Sequence, residues 1–294
     1  MSVPLKPDAT YCSEILSCTK VILSNFFAIM LTIETFQTAQ EARNDHALRH
    51  SIAVVIDVLR ATTSISTALH NGARRIIPVA ALEAAQELAS QLRTGVSPEE
   101  ARYMLLCGER HGIKPEGFDL GNSPLEYTAS AVQHKTLILT TTNGTQALER
   151  TRHAALQLAV GFTNLRASTE YLLHYLHTPK LQTTRISSIR LVCAGTEGVA
   201  SEEDTLCAGA LIDALLAEEP ALQPDEHSFT AFKNYASLSD EAALHDALRT
   251  TPHALYLASL GFGRDVEAAL QRDTTPSVAR VYHDEDFSSI SKPR

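Results

Sequence analysis

Apolar and polar positions along the chain fall into two alternating kinds of segment. Some are short and apolar throughout, such as Ser51-Ile-Ala-Val-Val-Ile-Asp-Val-Leu59, which is the pattern of a parallel strand covered on both faces. Between them lie longer stretches whose apolar residues recur every three or four positions, as in a helix with one buried side. The pattern predicts strands at Ser51–Leu59, Arg75–Ala80, Tyr103–Gly108, Thr136–Thr142, Ala155–Gly161, Arg190–Ala194 and Ser277–Tyr282. It predicts helices at Thr62–Asn71, Leu82–Arg93, Ser123–Ala131, Thr145–Arg152, Asn164–His177, Glu202–Glu218 and Asp240–Leu248. A further helical stretch runs from His253 through Gln271 and breaks near Gly261-Phe-Gly263. Gly72 and Gly95 supply helix stops, and Pro78 implies an edge strand or a bulge because it cannot donate to a ladder. Repeated strand–helix units imply an α/β layered fold around a mostly parallel sheet.

The two ends read differently from this body. Val21 to Ile33 is a mostly apolar run of 13, too short to span a bilayer. Lys6 and Lys20 are too sparse, and no small-x-small cleavage site follows, for a secretory signal. Residues 1–29 are therefore expected to be an extension, 30–283 the α/β domain, and 284–294 a loose polar tail. A division of the domain into subdomains of about 30–160 and 161–283 stays open.

Composition narrows the class. With 294 residues, 44% hydrophobic and 20% charged, the chain can bury a sizeable core. Its 34 acidic and 25 basic residues give a net charge of −9, which argues against nucleic acid or an anionic membrane as partner. Five cysteines without a C-x-x-C pair indicate neither a zinc ribbon nor a disulfide framework, so a reducing cytoplasm is the expected setting.

Chemistry is expected beyond the carboxyl ends of the strands, where parallel sheets bind ligands. The first candidate is Asp57-Val-Leu-Arg60-Ala-Thr62-Thr63-Ser64. Here a carboxylate precedes an arginine and hydroxyls at a helix start, a place suited to an anion beside a metal; the plainer reading is a capped helix. The second comprises Gly108-Glu109-Arg110-His111-Gly112 and Gly117-Phe-Asp119-Leu-Gly-Asn122-Ser123-Pro124, in which Ser123 could simply cap a helix. The third is the hydroxyl cluster Thr140-Thr-Thr142-Asn143-Gly-Thr145, and the fourth Ser201-Glu-Glu203-Asp204, where Ser201 with Asp204 resembles a capping box. Gly261-Phe-Gly263-Arg264-Asp265 starts like a dinucleotide fingerprint but lacks its third glycine and its preceding strand. Carboxylates suit a hard cation such as Mg²⁺, and arginines suit oxyanions. Metal-assisted phosphoryl chemistry is thus the natural hypothesis.

Taken together and in order, Val-Val-Ile-Asp57-Val-Leu-Arg60-Ala-Thr-Thr, Gly108-Glu-Arg, Gly117-Phe-Asp-Leu-Gly-Asn-Ser-Pro124, Thr140-Thr-Thr-Asn-Gly-Thr145 and Ser201-x-Glu-Asp-x-x-Cys-Ala-Gly209 resemble the 2-phosphosulfolactate phosphatase family. The resemblance runs from about Met30 to about Val281. Near the end Leu260-Gly261 and Asp265 are kept, while Ala268 or Ala269 stands where the family has a Cys. The resemblance implies a three-layer α/β/α fold with a mixed, mostly parallel sheet, a homodimer, and Mg²⁺-dependent hydrolysis of 2-phospho-3-sulfolactate to 3-sulfolactate and phosphate, in the family's best-known setting a step towards coenzyme M. Asp57, Glu109 and Asp119 would be catalytic, and Asp57, Asp119, Glu203 and Asp204 would supply the metal ligands. Arg60, Thr62, Thr63, Asn122, Ser123, Thr142 and Asn143 would hold the phosphoester, with Arg110 on the sulfonate or carboxylate. Direct attack by water is preferred to an aspartyl phosphate. Haloacid dehalogenase phosphatases place a second Asp two residues after the nucleophile, and that position here is Leu59. Another small phosphorylated hydroxy acid as substrate, or a non-catalytic anion-binding protein, stay as alternatives.

Overall fold

One sheet of ten strands organises the protein in a computed structural model that describes residues 31–42, 46–178, 186–238, 240–284 and 287–293. The strands are β1 (Thr32–Phe36), β2 (Ser51–Ile56), β3 (Arg75–Pro78), β4 (Met104–Gly108), β5 (Thr136–Thr140), β6 (Leu156–Val160), β7 (Ser188–Cys193), β8 (Gln223–Pro224), β9 (Ala279–His283) and β10 (Ser288–Ser291). Helices α1 (Ala61–His70), α2 (Leu82–Thr94), α3 (Pro98–Ala101), α4 (Ala129–Val132), α5 (Gly144–Arg150) and α6 (Leu165–Leu176) fill the first part of the chain. Helices α7 (Glu202–Glu218), α8 (Glu226–Ala236), α9 (Glu241–Arg249), α10 (Pro252–Ser259) and α11 (Gly263–Leu270) follow. In space the strands run β4-β5-β3-β10-β9-β6-β2-β7-β1-β8.

The sheet is mostly parallel because helices carry the chain back between its strands. Strand β2 pairs in parallel with β6 on one side and β7 on the other, and β4 and β3 both pair in parallel with β5. Every residue of β2 is buried, as its unbroken apolar run predicts. Its alternate side chains feed two different cores. Ile52, Val54 and Ile56 pack with Leu165 and Leu172 of α6 and Leu211 and Leu215 of α7; Val55 packs with Ile65 and Leu69 of α1 and Leu148 of α5. Helices on both faces of one sheet make the expected three-layer α/β/α arrangement. Parallel pairing aims the carboxyl ends of β2, β6 and β7 at one edge, where the site is built; β4 and β5 run the opposite way, three antiparallel steps removed, and reach the site through the loops that follow them.

Several elements differ from the sequence reading. The residues after His283 are not a loose tail: β10 pairs antiparallel with β9 and with β3, and its Ile290 is fully buried opposite Ile76. A four-residue Ser-Ser-Ile-Ser strand with one apolar anchor shows no periodicity to read. Strand β3 is interior, not an edge; Pro78 is tolerated because β10 meets β3 only at Ile76, below the proline. The Ser123–Ala131 helix is instead a 3₁₀ turn at Pro124–Glu126 followed by the short α4, capped by Thr128. Strand β1 and helix α8 have no counterpart in the reading. Helix α8 is capped by Asp225 and lies so close to α7 that a Cβ on Gly209 would sit 2.2 Å from the Ala231 carbonyl oxygen. The sheet draws strands from both sides of residue 160. The expected 1–29 extension lies outside the described residues, and no described helix is long and apolar enough to cross a membrane.

Gly108 closes β4 with φ +142°, and a Cβ there would lie 1.9 Å from the Thr140 carbonyl oxygen. Gly108→Ala is expected to cost about 3 kcal/mol and to lower the melting temperature by roughly 6–12 °C. Gly95→Ala, where a Cβ meets only the Gln91 carbonyl at 3.8 Å, should leave it within about 2 °C. Circular-dichroism melts of both variants decide the point; equal melting temperatures would contradict it.

Candidate active site

The turn after β2 holds Asp57, which is 7% exposed. Its Oδ1 accepts from the Ala61 N–H at 3.1 Å, so the carboxylate is tied to the first residue of α1. Its backbone carbonyl accepts from the Thr62 N–H at 2.9 Å and from the Thr62 hydroxyl at 2.8 Å. The Thr63 hydroxyl donates to the Val58 carbonyl at 2.8 Å. Thr62 and Thr63 are thus spent on the strand-to-helix turn and do not line the cavity beside it, contrary to the expectation that they bind phosphate oxygens. A Cβ on Gly144 would meet Asp57 Oδ2 at 2.6 Å, so only glycine lets α5 start this close to the carboxylate.

A cavity of about 60 Å³ opens at this edge, lined among others by Asp57, Arg60, Glu109, Asn122, Thr142, Asn143 and His253. A neighbouring chamber of about 390 Å³ shares Thr196, Glu197, His253 and Tyr256 with it. Six of the residues expected from the sequence are therefore brought together. Three are not. Asp119 accepts from the Leu106 N–H at 2.7 Å and pairs with Arg93, which orders the loop after β4 away from the cavity. Arg110 donates to the Glu109 carbonyl at 2.6 Å and to the Thr140 hydroxyl at 2.9 Å, bracing the ends of β4 and β5. Ser123 caps no helix; its hydroxyl donates to Asp265 Oδ1 at 2.7 Å.

The remaining carboxylates are held by backbone amides. Glu109 accepts from the Thr142 N–H on one oxygen and the Gly112 N–H on the other, both at 2.7 Å, and so locks two site loops together. Asp204 does not cap α7: its oxygens accept from Val58 N–H at 2.8 Å and Gly195 N–H at 3.2 Å, joining the turns after β2 and β7. Glu203, 1% exposed, places Oε1 3.0 Å from His253 Nδ1. Sequence reading passed over His253. Thr251-Pro252 marks a helix start there, but nothing local shows that the first turn faces Glu203, fifty positions away.

Acid outweighs base around Asp57. Burial raises its pKa to about 6; the Ala61 amide and His253 pull it down, while Glu109 and Glu203 push it up. Burial, with Asp57 and Glu203 nearby, drives Asp204 well above the usual carboxylate range. Arg60 lines the same cavity; its Nη1 lies 2.7 Å from Asp265 Oδ2, its Nη2 donates to the Gly112 carbonyl, and its guanidinium stacks 4.3 Å from the Phe262 ring centre. Cys193 and Cys207 have their thiols raised by burial, as small packing residues do.

The donor chemistry accommodates a hard cation, though not with the four ligands expected. No three His, Cys, Asp or Glu side chains among the described residues converge to hold a metal, because Asp119 is elsewhere and Glu109 and Asp204 are saturated by amides. Mg²⁺ requires only one or two carboxylates beside water and phosphate oxygens. Asn122 Oδ1 and Thr142 Oγ1 are buried without a hydrogen-bond partner on the wall that carries Asp57. A buried carbonyl oxygen with no donor is the group a cation or its bound water satisfies.

The decisive comparison is with protein families: the model described as 2-phosphosulpholactate phosphatase matches residues 36–284. The chain belongs to this family. A probable 2-phosphosulfolactate phosphatase of Caldicellulosiruptor saccharolyticus is 38% identical over 247 residues, 83% of this chain and 93% of the relative. Proteins of the same name from Thermotoga petrophila and Thermotoga maritima are 42% and 41% identical over 228 and 227 residues, each 77% of this chain and 87% of the relative. Family members are thus named as phosphoric monoester hydrolases, which is what the five ordered motifs implied.

Asp57 binds its proton more tightly in the folded chain, with a pKa of about 6, than at the ordinary 3.8. Its contribution to stability is therefore full below pH 3.8 and is lost as pH rises through about 6. In metal-free buffer, Asp57→Asn should gain stability over the unmodified protein between pH 4 and pH 7, by on the order of 3 kcal/mol. Urea unfolding of both across that range is the check, and a pH-independent difference would contradict the assignment.

Proposed function

We propose that the protein hydrolyses 2-phospho-3-sulfolactate to 3-sulfolactate and inorganic phosphate with Mg²⁺ as cofactor. One observation carries the reading: a buried carboxylate, a buried arginine and two buried oxygens without a partner among the described residues line one cavity beside the carboxyl end of β2. Family membership and the names of the relatives support the substrate.

Asp57 and Asn122 would hold Mg²⁺, which when bound draws charge from the phosphoryl oxygens. Arg60 binds an anionic oxygen of the substrate, and the Thr142 hydroxyl, which has no partner among the described residues, donates to a second. Water attacks phosphorus directly. Asp57 orients this water, and the proton that the water loses is carried by the phosphate product. Glu203 accepts the Nδ1–H of the imidazolium form of His253 and orients the ring. The Nε2–H of that imidazolium goes to the departing alkoxide, so the products are the free hydroxy acid and phosphate, and the ring is reprotonated from solvent. Leu59, where an acid/base Asp would be needed for an aspartyl phosphate, supports direct attack. The net −9 charge then has a local counterpart: Arg60 and the cation make the cavity receptive to a multiply charged anion that the outer surface would repel.

Phosphate release should be greatest with 2-phosphosulfolactate in a panel of phosphorylated hydroxy acids, and EDTA should abolish it. Asp57→Asn and His253→Gln should each lower kcat by about 10²–10⁴-fold. Mg²⁺ should raise the melting temperature of the unmodified protein and not that of Asp57→Asn. Turnover indifferent to chelation would overturn the metal assignment, and a preference for another hydroxy acid would replace the substrate.

A further inference from the structure

We propose that Asp265 is a positioning residue that fixes the guanidinium of Arg60 at the cavity, so that the first turn of α11 forms the base of the anion site. The inference rests on the reading of Arg60 as the ligand of the substrate's anionic oxygens.

Asp265 is 2% exposed and does not line the cavity, whereas Arg60 does. Asp265 Oδ2 takes Arg60 Nη1 at 2.7 Å, and its other oxygen accepts the Ser123 hydroxyl at 2.7 Å. Ser123 immediately follows Asn122, itself on the cavity wall. The carboxylate is therefore held on both oxygens by groups from two site loops. Phe262, three residues before it, lies against the guanidinium, and the Gly112 carbonyl takes Nη2. Three contacts from two segments, the start of α11 and the loop after β4, leave Arg60 one orientation.

The cost of this arrangement points to its purpose. A buried Arg–Asp pair seldom stabilises a fold better than well-packed apolar groups, because both charges lose their water. Nor does it strengthen the attraction for an anion, since Asp265 cancels most of the positive charge of Arg60. What it supplies is order: a free arginine has rotamer freedom to lose on binding, and here folding has already removed it. Preorganisation of this kind improves the binding of an anion without adding a contact. It also accounts for Ser123 and Asp265, two polar residues whose side chains face each other and not the cavity.

Steady-state kinetics and calorimetric titration with inorganic phosphate test the proposal. Asp265→Asn should raise KM and the phosphate Kd by about 10-fold or more, with kcat changed less than threefold, and Asp265→Glu should recover part of the loss. Ser123→Ala, which leaves the ion pair in place, should raise the phosphate Kd by about two- to fivefold; it and Asp265→Glu carry the test if Asp265→Asn does not fold. The decisive measurement is coupling. Arg60→Gln combined with Asp265→Asn should bind phosphate no more weakly than Arg60→Gln alone. Independent, multiplying losses, or a fall in kcat with unchanged phosphate affinity, would overturn the proposal. Equal phosphate binding by the unmodified protein and Arg60→Gln would overturn it together with the reading of Arg60. Arg60-dependent phosphate binding without turnover of any phosphoester would instead sink the proposed function and leave the coupling measurable.

Discussion

A carboxylate buried at the end of a central strand is the constraint around which the rest of this protein is arranged. Strand β2 is covered on both faces and flanked by parallel partners, so the residue that follows it emerges at the carboxyl edge with little water around it. Asp57 then needs compensation, and the turn supplies part of it: the Ala61 amide takes one oxygen, and the threonines of α1 spend their hydroxyls closing the same turn. The second oxygen faces α5 at a glycine and remains available. Burial without full neutralisation is what makes a carboxylate reactive near neutral pH.

The other acids solve a different problem. Glu109 and Asp204 lie close to Asp57 but give both oxygens to backbone amides. Each crosses between loops that follow different strands, so carboxylate–amide bridges brace the loops around the cavity. Loops held this way keep their shape in the presence of a charged ligand, since each bridge is a charge-assisted hydrogen bond shielded from solvent. The acidic composition therefore divides into two parts: an outer surface, and a buried set that braces the cavity loops.

Much of the architecture was legible because it rests on local pattern. The apolar run at Ser51–Leu59 dictates a doubly covered strand, and the three- and four-residue spacing of Leu82–Arg93 or Glu202–Glu218 dictates helices, whatever lies around them. What had no local signature was missed: Ser288–Ser291 is a strand only because β9 and β3 leave a slot for it, and Ser123 has the neighbours of a helix cap but gives its hydroxyl to Asp265. At the site, strand-end position singled out Asp57, Arg60, Glu109, Asn122, Thr142 and Asn143 correctly as neighbours. The same cue misplaced Asp119 and Arg110, since a loop after a strand can turn its side chains to either side of the sheet edge. It could not reach His253 or Asp265, whose partners lie fifty and two hundred and five positions away.

By itself the sequence determined the class of fold and membership of a phosphatase family, because these depend on hydrophobic periodicity and on short motifs that each carry their own geometry. Only the tertiary structure decided which polar groups are free to act. A carboxylate, hydroxyl or guanidinium is a catalyst, a ligand or a brace according to what occupies its hydrogen-bonding atoms, and those occupants arrive from distant parts of the chain.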